Sequence, residues 1–291
     1  MTTKILISFS IFLVFLSCKK DRIEEDSFSS MDEFYEDNRQ EVQEFEITSE
    51  DSGSIVGKYG TEIFVSRTIF EDSADRNIEL PYKIKLVEAY TYEDMIMYGL
   101  FSGFTGGYYD FFGDLWIMAE KNERELQIKS GFEMSAILTP LADSTNKEVY
   151  FGGRALSPFS AWMEIEFGMY AERNGDYFQT NISKLGWSST SNKVTTSSTT
   201  DVTCKINANG TENIDIWIVL HDKKVLLKGN NLVVSGAPLD EPATLLAMAI
   251  DQDGKIRLHK EGIVIQPFIT VELEMEEISK DQFLFQLESL D

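Results

Sequence analysis

Lys83-Ile84-Lys85-Leu86-Val87-Glu88 alternates polar and apolar side chains with a period of two. Successive side chains of a strand leave opposite faces, so this stretch reads as a strand with one face buried and the other wet. The same texture continues outward on both sides. Upstream, Gly53 to Val65 mixes glycine turns with β-branched and aromatic residues, and Ile78 to Tyr82 follows it. Downstream, Asp114–Ala119, Glu125–Lys129 and Glu133–Leu138 read as strands. Turns fall at Lys121-Asn122 and Ser130-Gly131, and Pro140 closes the last strand. Thr91 and Asp94 have the spacing of a capping box at the head of a helical turn over 91–97. Many short strands at regular spacing predict an antiparallel β-sandwich over residues 47–140.

A second series begins at Asp201. Ile214–Leu220, Lys224–Lys228, Thr244–Ile250, Lys255–His259 and Ile269–Met275 all carry strand patterning, and Asp251-Gln252-Asp253-Gly254 reads as a hairpin turn. Ser279 and Gln282 then cap a short helix with Phe283, Leu287 and Leu290 on one face. Residues 201–291 are therefore expected to form a second β-rich domain with a terminal helix. Residues 141–200 are less regular, and Ser188 to Thr200 is dominated by Ser and Thr, the composition of a connection or long loop. The expected fold class is all-β, with two β-sandwich domains and a short C-terminal helix.

Gly57-Lys58-Tyr59-Gly60-Thr61-Glu62-Ile63, followed by Ile84–Glu88 and Leu115–Ala119, resembles ZU5-like β-sandwich domains, particularly those of Bacteroidota lipoproteins. The resemblance covers roughly residues 50–140. It implies a protein-interaction module. Some relatives of that family cleave themselves at a His-Phe-Ser site, and this sequence has no such triplet. Leu185-Gly186-Trp187 stands where related lipoproteins carry a Gly-Trp-Ile-Asn-Cys-Asp stretch. Here Ser188-Ser189-Thr190 follows, so a site built on that Asp and Cys is unsupported.

The N-terminus gives an address. Lys4 precedes the apolar run Ile5–Leu16, broken only by Ser8 and Ser10. Twelve residues are too few to span a bilayer, which takes roughly 20, but they fit the apolar region of a secretory signal. Phe15-Leu16-Ser17-Cys18 resembles the lipobox of bacterial lipoproteins, although Leu or Val is usual where Phe15 stands. The resemblance implies a signal peptide over 1–17, acylation of Cys18, and a lipid bilayer as partner through that cysteine. Two or three acyl chains anchor far better than one, because each buried CH₂ contributes roughly 0.8 kcal/mol. An ordinary cleaved signal, with Cys18 incidental, is the alternative. Residues 21–50 hold twelve Asp and Glu against two Arg. That density predicts a disordered acidic tether over 18–46. Acidic residues just after the cysteine are similar to a signal for export to the outer leaflet. The expected location is thus the outer membrane, at the cell surface rather than the periplasmic face.

The net charge of −23 excludes a phosphate-binding surface, so no nucleic acid partner is expected. With Cys18 lipidated, Cys204 has no partner for a disulfide and reads as a buried small hydrophobe. His221 and His259 are the only histidines, and neither lies near a nucleophile motif such as Gly-x-Ser-x-Gly. No HExxH or CxxC spacing exists, and Asp251-x-Asp253-Gly254 lacks the further acids of an EF-hand loop. No catalytic residue, metal or cofactor is expected. The remaining candidates are aromatic. Phe104–Gly113 is rich in Gly and aromatics, and Tyr108, Tyr109 and Trp187 are the candidate platform for a glycan or protein partner, with Trp116 and Trp162 as further candidates. A hairpin with those rings in the core is the competing expectation. The function read from the sequence is a non-catalytic binding or structural role at the cell envelope, with surface glycan binding as the alternative.

Overall fold

The computed structural model describes residues 27–49, 53–74, 76–104, 107–138, 147–159, 161–164, 170–174, 177–206 and 213–291. Cys18 and the signal lie outside these residues. The chain is all-β, with three short α-helices among the described residues. Among the described residues, no helix is long and apolar enough to cross a membrane.

The Tyr82–Ala89 strand lies near one edge of a twelve-stranded sheet. It pairs antiparallel with Gln43–Ile47 on one side and Gly113–Lys121 on the other. Its alternation places Ile84 beside Ala119 and Leu86 beside Ile117, all fully buried. The sheet continues through Gly186–Ser191, Lys147–Gly153, Tyr170–Asn174, Tyr177–Ile182 and Met134–Leu138 to the hairpin of Ser54–Val56 and Glu62–Phe64. It curls so that its ends meet: the Lys58 N–H, in the turn of that hairpin, donates to the Gln43 side-chain oxygen on the first strand at 2.7 Å. Phe112 and Phe178, which come from distant parts of the chain, stack edge-on with ring centroids 4.8 Å apart. A Cβ added to Gly57 would meet the Glu88 carboxylate, so glycine at this position leaves the room that the Glu88 side chain takes against the hairpin.

The C-terminal strands form a second sandwich. Thr199–Ile206 lies between Val233–Pro238 and Thr270–Leu273 in a three-stranded sheet. Val225–Lys228, Asp215–Leu220, Pro242–Ile250, Ile256–Val264 and Glu276–Ile278 form a five-stranded sheet. Asp215–Leu220 shows how that larger sheet works. Ile216, Ile218 and Leu220 point into the sandwich, while Trp217 and Val219 point the other way into the core shared with the first sheet. Both faces of this strand are covered, so it is apolar at every position from Ile216 to Leu220.

Three helices fill the seam. Helix α1 (Met31–Asn38) is capped by Ser30 and buries Met31, Phe34 and Tyr35. Helix α2 (Tyr92–Met97) has the capping box expected of Thr91 and Asp94. Helix α3 (Lys280–Glu288) has the expected box of Ser279 and Gln282, and Phe283, Leu287 and Leu290 are buried. The Ser279 hydroxyl accepts from the Gln282 N–H at 3.2 Å, and the Gln282 side chain accepts from the Ser279 N–H at 3.0 Å. Ser279→Ala is expected to cost about 1 kcal/mol, read as a lowered urea midpoint with an unchanged slope.

Two expectations are corrected. The acidic tether does not extend to residue 46. From residue 27 the chain is folded, with α1 followed by the Gln43–Ile47 strand. The acids face water while Phe28, Phe34 and Tyr35 reach the core, so like charge did not prevent docking. Helix α1 takes in Phe34 and Tyr35, and Val42 and Phe45 lie beyond it. Residues 141–200 are not a connection between domains either. Lys147–Gly153 and Gly186–Ser191 are interior strands of the large sheet, which therefore runs past the expected boundary at 140. The Ser/Thr run is tolerated there because its hydroxyls bond locally. Ser189 and Ser191 hydroxyls lie 2.5 Å apart, and the Ser188 hydroxyl donates to the Leu115 carbonyl at 3.4 Å.

Candidate functional site

The aromatic platform is corrected first. Tyr108, Tyr109 and Trp187 are 6%, 2% and 0% exposed. Trp187 donates its Nε1–H to the Leu156 carbonyl at 3.1 Å and meets the Tyr98 ring edge-on. Tyr109 packs against Tyr150 with centroids 3.8 Å apart, and Tyr108 belongs to the core of the C-terminal sandwich. Trp116 and Trp162 are buried as well. The cause is the short hairpin Gly103–Phe104 with Gly107–Tyr109. Its base is laced to the C-terminal half: the Ser102 N–H donates to the Leu226 carbonyl and the Phe111 N–H to the Lys224 carbonyl, each at 2.7 Å. Its rings therefore join two cores and present no open face to a sugar.

The titratable groups are engaged structurally. His221 bonds the Leu290 carbonyl through Nδ1 at 3.0 Å and the Thr244 hydroxyl through Nε2 at 2.9 Å. His259 Nδ1 accepts from the Glu274 N–H at 3.1 Å, and its Nε2 lies 3.4 Å from Glu261. Cys204 is buried, which pushes its thiol up to about 11, away from reactivity. Asp251 is occupied by its own turn. One oxygen accepts from the Asp253 and Lys255 N–H groups, and the other bonds Arg257 at 2.8 Å. Among the described residues, no group of three or more His, Cys, Asp or Glu is placed to hold a metal ion.

Two buried carboxylates were missed by sequence reading. Glu88 accepts from Gln43 Nε2 at 2.9 Å and from the Tyr59 and Thr61 N–H groups at 3.0 and 3.1 Å. The Gly57–Thr61 turn thus wraps a buried carboxyl group. Asp114, one residue from Leu115, which pairs with Glu88, is 1% exposed, and neither carboxyl oxygen has a close hydrogen-bond partner. Burial pushes its carboxyl up to about 7, partly opposed by the Ser189 hydroxyl.

Two clefts open on the surface. One, of about 770 Å³, brings Phe101 and Phe159 beside Asn213, Asp215, Asn230 and Asn231. The larger, of about 820 Å³, is a groove between Ile256–Val264 and Thr270–Leu273, with Gln282 and Gln286 of α3 along one side. Glu261, Glu274 and Glu276 stand on it, and Ile263, Ile269 and Val271 supply its apolar surface. Lys260 also lines it, but its ammonium is committed to the Gln286 carbonyl at 3.0 Å and the Ser289 hydroxyl at 2.6 Å. The sequence signal nearest this groove was Gln266-Pro267-Phe268-Ile269, whose apolar residues follow a strand-breaking proline.

Fold and clefts together define an all-β chain of stacked sheets with an acidic groove at an open strand edge. No protein-family model, no curated protein and no solved structure matches it.

Proposed function

We propose that this chain is a cell-envelope lipoprotein, held at the outer membrane by acyl chains on Cys18, whose folded part binds a partner without catalysis. The observation that carries the anchor is the run Ile5–Leu16 ending in Ser17-Cys18. The resemblance of residues 50–140 to ZU5-like modules supports a protein partner, as does the structural use of both histidines. The folded part begins at Phe28, whose N–H bonds the Gly254 carbonyl, so the lead from Cys18 is at most roughly 35 Å. That reach keeps the binding surface close to the headgroups. A glycan partner is the second reading, and it now rests on the cleft with Phe101, Phe159 and three asparagines.

The test is cell fractionation with protease shaving. The native protein is expected in the outer-membrane fraction and lost from intact cells on protease treatment, while Cys18→Ala is expected in the soluble fraction. Retention of Cys18→Ala in the membrane sinks the anchor. Protection of the native protein in intact cells moves it to the periplasmic face.

A further inference from the structure

We propose that the acidic groove takes an extended, basic segment of a partner protein, added as a strand to the free edge of Ile256–Val264. The proposal deepens the binding reading and rests on it. One edge of that strand is paired along its whole length with Pro242–Ile250. The other is paired only at residues 256–258, with Glu276–Ile278. Beyond residue 258 the next segment in space, Thr270–Leu273, has crossed to the three-stranded sheet, where it pairs with Thr199–Ile206. The two strands diverge, and the groove is the gap between them.

The phase of the ladder says which groups face that gap. The Ile265 N–H donates to the Glu241 carbonyl, its directly opposite partner in the register. Bonded pairs alternate in an antiparallel ladder, so residues 263, 261 and 259 bond toward Pro242–Ile250. Lys260, Gly262 and Val264 turn their N–H and C=O groups into the groove. Among the described residues no strand pairs with them there. A row of such groups is a template for an incoming strand, which would rise about 3.4 Å per residue along it.

Charge and shape choose the occupant. Glu261, Glu274 and Glu276 face the groove, and the ammonium of Lys260 is already used. A segment rich in Lys or Arg meets those carboxylates, and its apolar residues on the sandwich side meet Ile263, Ile269 and Val271. Next in the chain to Ile269, Phe268 is 91% exposed, with a left-handed backbone (φ 57°) and its N–H bonded to the Thr200 hydroxyl. Residues 21–26 carry Asp21, Glu24, Glu25 and Asp26 against Arg22, so they do not supply the segment. A second copy at −23 is repelled.

Gly262 supplies the decisive variant. A Cβ added there meets nothing within 4 Å, so Gly262→Ala leaves the groove unobstructed and keeps the N–H. Gly262→Pro removes the outward N–H at an edge position where proline is tolerated. The probe is a fluorescein-labelled (Lys-Val)₄ peptide, titrated by anisotropy against the full-length protein in detergent. Binding is expected, unchanged by Gly262→Ala and weakened at least tenfold by Gly262→Pro. The same peptide N-methylated at alternate backbone amides, and (Glu-Val)₄, are expected not to bind. Charge reversal of Glu261, Glu274 and Glu276 to Lys is expected to abolish binding with the circular dichroism spectrum preserved. The proposal is overturned if no peptide binds, if the N-methylated peptide binds as well as its parent, or if Gly262→Pro, folded by circular dichroism, binds as the native chain does. These readouts do not involve the membrane, so failure here with Cys18-dependent fractionation intact refutes the groove alone.

Discussion

Phe34→Ala lowers the unfolding free energy by about 3–5 kcal/mol, the cost of truncating a fully buried phenylalanine. Phe34 is 0% exposed and sits between Phe28 and Phe283, with ring centroids 5.0 and 4.9 Å away in edge-on geometry. Tyr35 beside it donates its hydroxyl to Asp215 at 2.8 Å. Eight residues are too few for a helix to persist alone in water, so α1 owes its order to these contacts. The effect therefore reports directly on whether the acidic N-terminal segment is docked. Guanidinium unfolding followed by tryptophan fluorescence is a direct readout, because Trp217 lies in the same core. A midpoint equal to that of the native chain would falsify the docking of α1.

Asp114→Asn is expected to stabilise the protein at neutral pH and to do so far less in acid. Burial raises the folded carboxyl to about 7, against about 3.9 for an unfolded aspartate. Below pH 4 both states are protonated and the site carries no ionisation penalty. As the pH rises from 4 to 7 the unfolded state releases its proton while the folded state keeps it. Stability then falls by about 1.4 kcal/mol per pH unit, to a total of about 4 kcal/mol, and levels off above pH 7. An asparagine does not ionise and escapes this loss. The gain from the substitution should thus be about 3 kcal/mol larger at pH 7.5 than at pH 4.5, read from paired denaturation curves. Comparing variant with native chain at each pH cancels the titration of the many surface acids. An equal effect at both pH values means that Asp114 is ionised in the fold.

Much of the architecture is readable from period-two patterning. Lys83–Glu88 and Asp114–Ala119 each predict a strand, and both form, side by side, with ends only one or two residues longer. The C-terminal strands, the Asp251–Gly254 turn and the caps at Thr91 and Ser279 are equally local signals. Three features are not local. A polar residue in a strand reads as its wet face, so Glu88 and Asp114 give no sign that another layer covers them. The Ser188–Ser191 run has loop composition, yet it pairs with a strand along each edge and is buried at every position. The groove depends on neighbouring segments joining different sheets, and one of those sheets is defined by pairing residues as far apart as 203 and 270.

The fastening of the N-terminal segment to the C-terminal half also sets an order of events during synthesis. Phe28 is bonded to Gly254, Tyr35 to Asp215, and Phe34 lies on Phe283. At about 5–20 residues per second, roughly 10–50 s separate the emergence of residue 34 from that of residue 283. For that interval the aromatic face of α1 has no surface to close on. The last turns of the chain complete the core that the first turns began. A nascent or truncated product that stops short of α3 leaves Phe34 uncovered, as part of an exposed aromatic cluster beside an acidic strand.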